Sequence, residues 1–269
     1  MNALKTYNKN GIFLKHEVTD NPKEKFKLHV HNSFEIYYFV SGKVDYRIEG
    51  TTYSLGKGDL LLMRPSESHA PKILERITYE RYNINFQSAL LDGIDPEHRL
   101  LAPFWERPLG IGNVYTKSEL GDIPLEKLFY DMNYKNSDSY GKQLEILTSL
   151  IQILTAVNVA FCNRKHTVAI QGNRAVNILT YINLHISEPI SIPELANYFH
   201  LSQSQFNRSF KEFTGTSPWV YITAKRLAIA QEMLQGGMSA TSTAEKCGFK
   251  DYSTFYRAYV KQFGTAPTK

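Results

Sequence analysis

The chain has 269 residues, of which 42% are hydrophobic and 21% charged, and its formal net charge is +5. This length allows two domains with separate cores, and the composition excludes an intrinsically disordered chain. Two cysteines exclude a disulfide framework. The N-terminus lacks a hydrophobic signal segment, and no run approaches the roughly twenty apolar residues of a membrane helix. We therefore expect a cytoplasmic protein with no membrane contact.

The segment from residue 11 to residue 90 carries the pattern of short strands. Apolar and polar residues alternate, or apolar runs occur, at residues 12–17, 34–40, 44–48 and 79–86. Glycines punctuate these runs at positions where turns are expected. Short strands at this spacing predict a closed or two-sheet β-barrel.

Within the predicted barrel lies the pattern His29-x-His31-x-x-x-Glu35, followed later by Pro65 and His69. It resembles the two motifs of the cupin fold. His29 and His31 are two residues apart on extended chain, so their imidazoles share a face. The resemblance implies metal ligands at His29, His31, Glu35 and His69, a set suited to zinc, iron, manganese or nickel. The second motif is loose, because residues 65–69 lack the glycine usual in metal-binding cupins.

An organic ligand in the same barrel is the alternative, because histidines in a barrel mouth often hydrogen-bond a ligand or a carboxylate. Tyrosine and arginine side chains on strands near the mouth suit a hydroxylated or anionic small molecule. They are Tyr37, Tyr46, Arg64 and Arg81. The predicted ligand-binding residues are His29, His31, Glu35, Tyr37, Arg64 and His69. We expect no cofactor, and a divalent metal in the barrel stays the alternative.

Two helices are predicted after the barrel, at residues 123–133 and 139–161. The second is apolar on two sides. One line contains Leu144, Leu147, Ile151, Leu154 and Phe161, and the other contains Ile146, Leu150, Ile153 and Val157. One line can pack on the barrel, and the other predicts either a homodimer contact or a contact with the C-terminal domain. The polar residues 162–173 are predicted to be the interdomain linker.

A pair of short helices joined by a tight turn is predicted at residues 191–215. Capping boxes begin at Ser191 and at Ser202, eleven residues later. In the second helix Phe206, Phe210 and Phe213 recur at helical spacing, so they face inward. A second such pair is predicted at residues 239–263, and a long helix from Ser217-Pro218 to Gly236-Gly237 joins the two. The pattern is typical of two helix-turn-helix units.

Polar side chains occupy the outer face of the second helix in each unit, as expected for helices that read base edges. They are Gln203, Ser204, Asn207, Arg208 and Lys211 in the first unit, and Tyr252, Ser253, Tyr256 and Arg257 in the second. Residues 174–269 carry 10 Lys and Arg against 6 Asp and Glu, whereas the preceding residues carry 21 against 20. The basic excess lies with the helices that would meet phosphate.

The segment from residue 171 onward resembles the DNA-binding domain of the AraC/XylS family. The matching motifs include Phe206-x-Arg208-x-Phe210-Lys211, Thr214-Gly215-x-Ser217-Pro218, Arg226-Leu227-x-x-Ala230, Gly248-Phe249 and Phe263-Gly264-x-x-Pro267. The family usually has large aliphatic residues where this chain has Ala240 and Thr243, which predicts looser packing in the second unit.

These features predict a multidomain α+β protein. A cupin-like, ligand-sensing β-barrel with dimerisation helices is expected at residues 1–161, a linker at 162–173, and a double helix-turn-helix domain at 174–269. The resemblance implies a homodimeric transcription regulator that binds promoter DNA and responds to a small polar ligand. It favours a sugar or derivative as the ligand and an activator role, with RNA polymerase as a further partner. The alternative is an enzyme, a metal-dependent cupin fused to a DNA-binding domain.

Overall fold

The computed structural model of the protein describes residues 3–9, 11–22, 28–134, 139–164 and 174–268. The strands are β1 (Ala3–Lys9), β2 (Ile12–Thr19), β3 (Phe34–Ser41), β4 (Val44–Ile48), β5 (Thr51–Ser54), β6 (Leu60–Met63), β7 (His69–Ile73), β8 (Tyr79–Phe86) and β9 (Val114–Tyr115). The helices are α1 (Ala102–Trp105), α2 (Lys117–Leu120), α3 (Leu125–Tyr134), α4 (Ser139–Asn163), α5 (Arg174–Leu184), α6 (Ile192–Tyr198), α7 (Gln203–Thr214), α8 (Pro218–Gln235), α9 (Ala240–Lys246) and α10 (Tyr252–Phe263).

The N-terminal strands form two antiparallel sheets. The larger has the order β1-β2-β8-β3-β6-β9, and the smaller has the order β5-β4-β7. β3 lies near the centre of the larger sheet, where Tyr37 is opposite Asn83 of β8 and Leu61 of β6. The prediction of a β-rich N-terminal domain with two facing sheets is confirmed.

β3 is buried on both faces, which explains why its sequence is apolar apart from Glu35 and the terminal Ser41. Ile36 and Tyr38 pack in the core formed with the helices, where Phe129 of α3 stacks on Tyr38. Tyr37 and Phe39 pack in a second core between the two sheets. Because successive side chains of a strand point to opposite faces, one strand contributes to both cores.

α4 buries one of its two apolar lines in the core that the helices share with the larger sheet. The residues with no exposed surface are Ile146, Leu150, Ile153, Leu154 and Val157. Leu154 was assigned to the other line, but it is buried with this one. The other line stays exposed at Leu144, which is 44% accessible. By length and composition alone the helix from Tyr140 to Asn163 could cross a membrane, and 44% of its most apolar window is buried in the fold.

The C-terminal domain contains two apolar clusters that share α8. Tyr221 and Ile222 of α8 join the cluster of the first helix-turn-helix unit. Leu227 and Leu234 join the cluster of the second unit. The prediction of a helical domain in which a long helix joins two helix-turn-helix units is confirmed. One helix, α8, therefore contributes side chains to the apolar cores of both units.

The reading helices begin and end with strong local signals. Ser202 forms the predicted capping box with Gln205 at the start of α7, and Gly215 ends the helix in the left-handed conformation, with φ of 82°. α10 begins instead with Asp251, whose carboxylate accepts a hydrogen bond from the Thr254 amide. α4 ends at Asn163 and α5 begins at Arg174. Most of the predicted linker lies outside the described residues, so the domain bounds stay predictions.

Candidate ligand cavity and DNA-reading surface

A cavity of about 270 Å³ lies between the two sheets of the N-terminal domain. The lining residues are Phe13, Lys15, Glu17, His29, His31, Glu35, Tyr37, Tyr46, His69, Pro71, Tyr79, Arg81, Asn83 and Asn85. All but Phe13 and Pro71 have polar side-chain groups. A concave site with converging polar groups is suited to a small polar ligand.

Three adjacent strands supply most of this lining through their two-residue period. The inward residues are Phe13, Lys15 and Glu17 on β2, Glu35 and Tyr37 on β3, and Arg81, Asn83 and Asn85 on β8. The residues between them, such as Leu14, Ile36 and Ile84, pack against the helices. The alternation therefore separates a polar inner face from an apolar outer face.

Glu35 is the acceptor on which two histidines converge. Its Oε2 atom lies 2.6 Å from His31 Nε2 and 3.2 Å from His69 Nε2. Its Oε1 atom accepts a hydrogen bond from the Asn83 amide. Burial raises the pKa of Glu35, but the charge of His69 and the hydrogen bonds from both histidines outweigh burial, so the pKa lies well below its usual range. The carboxylate is therefore ionised at neutral pH.

The pKa values of His69 and His29 shift in opposite directions. Burial lowers the pKa of His69, but the Glu35 carboxylate outweighs it and the net shift is upward. Desolvation by the barrel wall, helped by the charge of His69, lowers the pKa of His29 to about 4. His29 is therefore neutral at neutral pH and can both donate and accept, while the protonated donor form of His69 is favoured.

Tyrosine hydroxyls form one side of the cavity. The Tyr37 and Tyr79 hydroxyl oxygens are 2.5 Å apart. Burial raises the pKa of Tyr37 well above its ordinary value and that of Tyr79 to about 12. The Tyr46 ring centre lies 4.8 Å from that of Tyr37. These hydroxyls stay protonated, so each can donate or accept a hydrogen bond.

The structure brings together five of the six predicted ligand-binding residues. His29, His31, Glu35, Tyr37 and His69 all line the cavity. Arg64 lies elsewhere, because β6 ends at Met63 and the next residue turns away from the cavity. Its guanidinium donates hydrogen bonds to the carbonyl oxygens of Trp105 and Arg107, at 3.4 and 3.3 Å.

Sequence reasoning missed five polar lining residues, Lys15, Glu17, Tyr79, Asn83 and Asn85. A signal for them existed, since each occupies the polar phase of a predicted alternating strand. The strand pattern does not show whether a polar face meets the solvent or encloses a cavity. Arg81, which was expected near the mouth, pairs with Glu17 at 3.0 Å.

Three of the cavity residues could hold a metal ion. One ligand atom from each of His31, Glu35 and His69 lies within 4.8 Å of the others. Two imidazole nitrogens and a carboxylate oxygen suit a first-row metal such as zinc or iron. His29, the fourth predicted ligand, is not part of this group among the described residues, and its ring centre is 6.0 Å from that of His69.

The first reading helix presents its polar residues to solvent. All five predicted DNA-binding residues of α7 are exposed: Gln203, Ser204, Asn207, Arg208 and Lys211. On the opposite face, Phe206 and Phe210 have no exposed surface. A helix anchored by its apolar face with an amide and a guanidinium outward can enter a major groove.

The second reading helix has a different outer surface. Tyr252 and Tyr256 are each 41% exposed, and their ring centres are 6.1 Å apart. The Arg257 Nε atom donates a hydrogen bond to the Ser253 carbonyl oxygen at 3.3 Å, so the side chain lies along its own helix. All four predicted residues of α10 are exposed, as in α7.

Comparison with known protein families gives one match for each domain. Residues 17–132 match the family described as the AraC-like ligand binding domain. Residues 195–269 match a helix-turn-helix domain family. Together the two matches cover most of the cavity lining and both reading helices.

Individual proteins match either about a third of the chain or most of it. The probable transcriptional regulator LumQ of Photobacterium leiognathi is 36% identical over 95 residues, which are 35% of this chain and 38% of that protein. The HTH-type transcriptional activator RhaS of Escherichia fergusonii is 24% identical over 259 residues, 91% of this chain and 87% of that protein. Among solved structures, the DNA-binding domain of AdpA in complex with a target DNA matches 34% of this chain and 83% of that chain, with 25% identity and a TM-score of 0.33.

Proposed function

Because the chain belongs to the AraC/XylS family of DNA-binding transcriptional regulators, we propose that its barrel cavity binds a sugar or sugar derivative. Occupancy of the cavity then controls how the two reading helices meet promoter DNA. The observation that supports this ligand class is the cavity lining, in which hydroxyls, carboxamides, imidazoles and carboxylates converge. A sugar hydroxyl both donates and accepts, and so do most of these groups.

The charges in the cavity favour a neutral ligand with several hydroxyl groups. Arg81 is paired with Glu17, and the Glu35 carboxylate is shared between His31 and His69. A strongly charged ligand would have to disrupt one of these pairs. Carboxylates and amides that already accept or donate can instead add hydrogen bonds to a polyol without losing their partners.

We propose an activator role, a cytoplasmic location and contact with RNA polymerase. The support for this proposal is the similarity to RhaS, a transcriptional activator that matches 91% of this chain. We further propose a homodimer through the exposed line of α4, where Leu144 is 44% accessible. An apolar line left exposed beside a packed one is typical of an interface.

Ligand binding is tested by a thermal-shift screen of mono- and disaccharides. A sugar present at 100 times its Kd stabilises the folded protein by about 2.7 kcal/mol, which is a measurable rise in Tm. His31→Ala should abolish this rise, because His31 lines the cavity and holds Glu35. His98→Ala is the control, since His98 pairs with Asp92 on the surface at 2.8 Å, away from the cavity. Equal stabilisation of both variants would show that the ligand binds elsewhere.

A metal-dependent cupin enzyme is the second candidate, and the cluster of His31, Glu35 and His69 is the observation that favours it. Such an enzyme needs a bound metal with an open coordination position. We propose instead that the histidines serve a ligand directly and that no cofactor is resident. Elemental analysis of protein purified without added metal separates the two. One equivalent of zinc or iron, lost in His31→Ala, would support the enzyme.

We propose that the two reading helices have unequal roles on DNA. Arg208 and Asn207 can each make paired hydrogen bonds to a base, worth roughly 1–3 kcal/mol of discrimination. α10 offers hydroxyls and Arg257, which lies along its own helix. The first unit should therefore specify sequence, and the second should mainly position the domain on phosphate. Both units share α8, so they should enter major-groove segments roughly 10 base pairs apart.

A further inference from the structure

The turn between β4 and β5 places a buried carboxylate in contact with the C-terminal domain. Glu49 stands at this turn with a positive φ of 44° and is only 2% exposed. The next residue, Gly50, lies so close to the C-terminal domain that an added Cβ would be 3.2 Å from Leu179 and 3.4 Å from Phe213. The turn is therefore part of the interface between the barrel and the first helix-turn-helix unit.

Both carboxylate oxygens of Glu49 are bound by α8. Oε2 accepts a hydrogen bond from the Tyr221 hydroxyl at 2.5 Å, and Oε1 accepts one from Lys225 Nζ at 2.5 Å. Lys225 is 2% exposed and also donates to the carbonyl oxygen of Ser66 in the barrel. Burial raises the pKa of Tyr221 well above its ordinary value, so this hydroxyl stays a donor. The two domains are thus joined by a buried ion pair with hydrogen bonds from both sides.

An ion pair is a poor choice for an interface that only needs to be stable. Well-packed apolar residues of similar volume often stabilise as much or more, because burying charge carries a desolvation penalty. An ion pair has a different advantage, since both of its groups are well hydrated when they separate. An apolar contact would instead expose hydrophobic surface to water each time it separates. The pair is therefore suited to a contact that opens and closes.

The interdomain pair is one residue away from the ligand cavity. The Ser68 amide donates a hydrogen bond to Glu49 Oε1 at 2.6 Å, and the Glu49 amide donates to the Ser68 carbonyl oxygen at 2.9 Å. The next residue, His69, lines the cavity, and its backbone is paired with that of His29. Movement of His69 by a ligand would therefore shift the backbone donor that orients Glu49.

We propose that Glu49, Tyr221 and Lys225 form a latch that holds α8 against the barrel and opens when a ligand in the cavity displaces His69. α8 carries both helix-turn-helix units, so its release changes the orientation of both reading helices relative to the barrel. The last step, control by the ligand, rests on the proposed function. The latch itself does not, because its contacts are formed by residues of the chain alone and can be tested without a ligand.

Amide hydrogen exchange on the full-length, ligand-free protein tests the latch. Glu49→Gln should speed exchange in the first half of α8 and in α5, across the interface, by about tenfold or more. Lys225→Met should do the same at the β4–β5 turn and at Ser68. Because the two changes break one interaction, the double variant should exchange no faster than the single variants. Thermal unfolding monitored by circular dichroism checks that every variant is folded.

Arg226→Met is the matched control, since it also removes a buried cation from α8. Arg226 donates to the carbonyl oxygens of Ile186 and Glu188, at 2.9 and 2.7 Å, so its hydrogen bonds stay within the C-terminal domain. Its substitution should speed exchange in that domain and leave the β4–β5 turn unchanged. If Glu49→Gln and Lys225→Met act only within their own domains, or if their effects add, the latch does not exist. This result would leave sugar binding in the cavity untouched.

Discussion

Thr243 in α9 is the position where a single substitution should stabilise this protein. Its side chain has no exposed surface, and its hydroxyl has no hydrogen-bond partner among the described residues. Ala240, one turn earlier, is only partly buried against the second cluster. These are the two positions at which looser packing is predicted. The unpaired hydroxyl is a specific weakness in the helix that supports α10.

Thr243→Val replaces the hydroxyl by a methyl group of similar size. A buried polar group without a partner costs about 1–3 kcal/mol, and the replacement removes that cost without opening a cavity. Helix propensities of threonine and valine are similar, so the backbone contributes little. The free energy of unfolding should therefore rise by about 1–2 kcal/mol. For a domain of roughly 60–100 residues, each kcal/mol raises the Tm by about 4–8 °C.

Thr214→Val in the first unit is the control, with the opposite expected sign. Thr214 is also buried, but its hydroxyl lies 2.7 Å from the Phe210 carbonyl oxygen and accepts a hydrogen bond from the Thr216 amide at 3.2 Å. Removing that hydroxyl should lower stability by about 1–3 kcal/mol. Differential scanning calorimetry and urea unfolding at constant pH measure both variants. A Thr243→Val protein that is no more stable than the wild type would refute the reasoning.

Three further predictions concern pH, assembly and DNA. The pKa of His29 is about 4 in the folded protein and about 6.5 when unfolded. Unfolded chains therefore bind the extra proton as pH falls from 6.5 to 4, so the Tm should fall across that window and fall less in His29→Asn. Leu144→Asp with Leu147→Asp should convert a dimer to monomers in sedimentation velocity, whereas a monomeric wild type would exclude this interface. In binding-site selection, Arg208→Ala should relax preference at one base position and Arg257→Ala should weaken all sites evenly, and the reverse order would invert the proposed roles.

Local sequence determined most of the secondary structure and the whole of the helix-turn-helix organisation. α10 ends at Phe263, where the second predicted helix pair ends, and α7 begins after the predicted cap at Ser202. These features depend on interactions within one turn of chain, such as capping and the helical spacing of Phe206 and Phe210. Contacts of such short range are visible in the residue order.

The cavity was predictable only in part, because a strand's two-residue period tells which side chains share a face and not what that face meets. His31, Glu35 and His69 were recognised as a motif, while Asn83 and Asn85 were not, although they occupy one face of a predicted strand. The pairing of β8 with β3 places them beside Glu35, and that pairing joins residues 48 positions apart. Arg64 was misplaced for the same reason, since only the fold shows that its guanidinium reaches the carbonyl oxygens of Trp105 and Arg107.

The contact between the domains was beyond local reasoning. Glu49 looks like an ordinary polar turn residue, and Lys225 looks like a solvated lysine on a helix. Tertiary structure joins them across 176 positions and removes both from water. The free energy of such a pair depends on burial and on every hydrogen bond around it, neither of which is encoded by neighbours in the chain. The sequence alone therefore determined what the two domains are, and only the folded chain decided how they are connected.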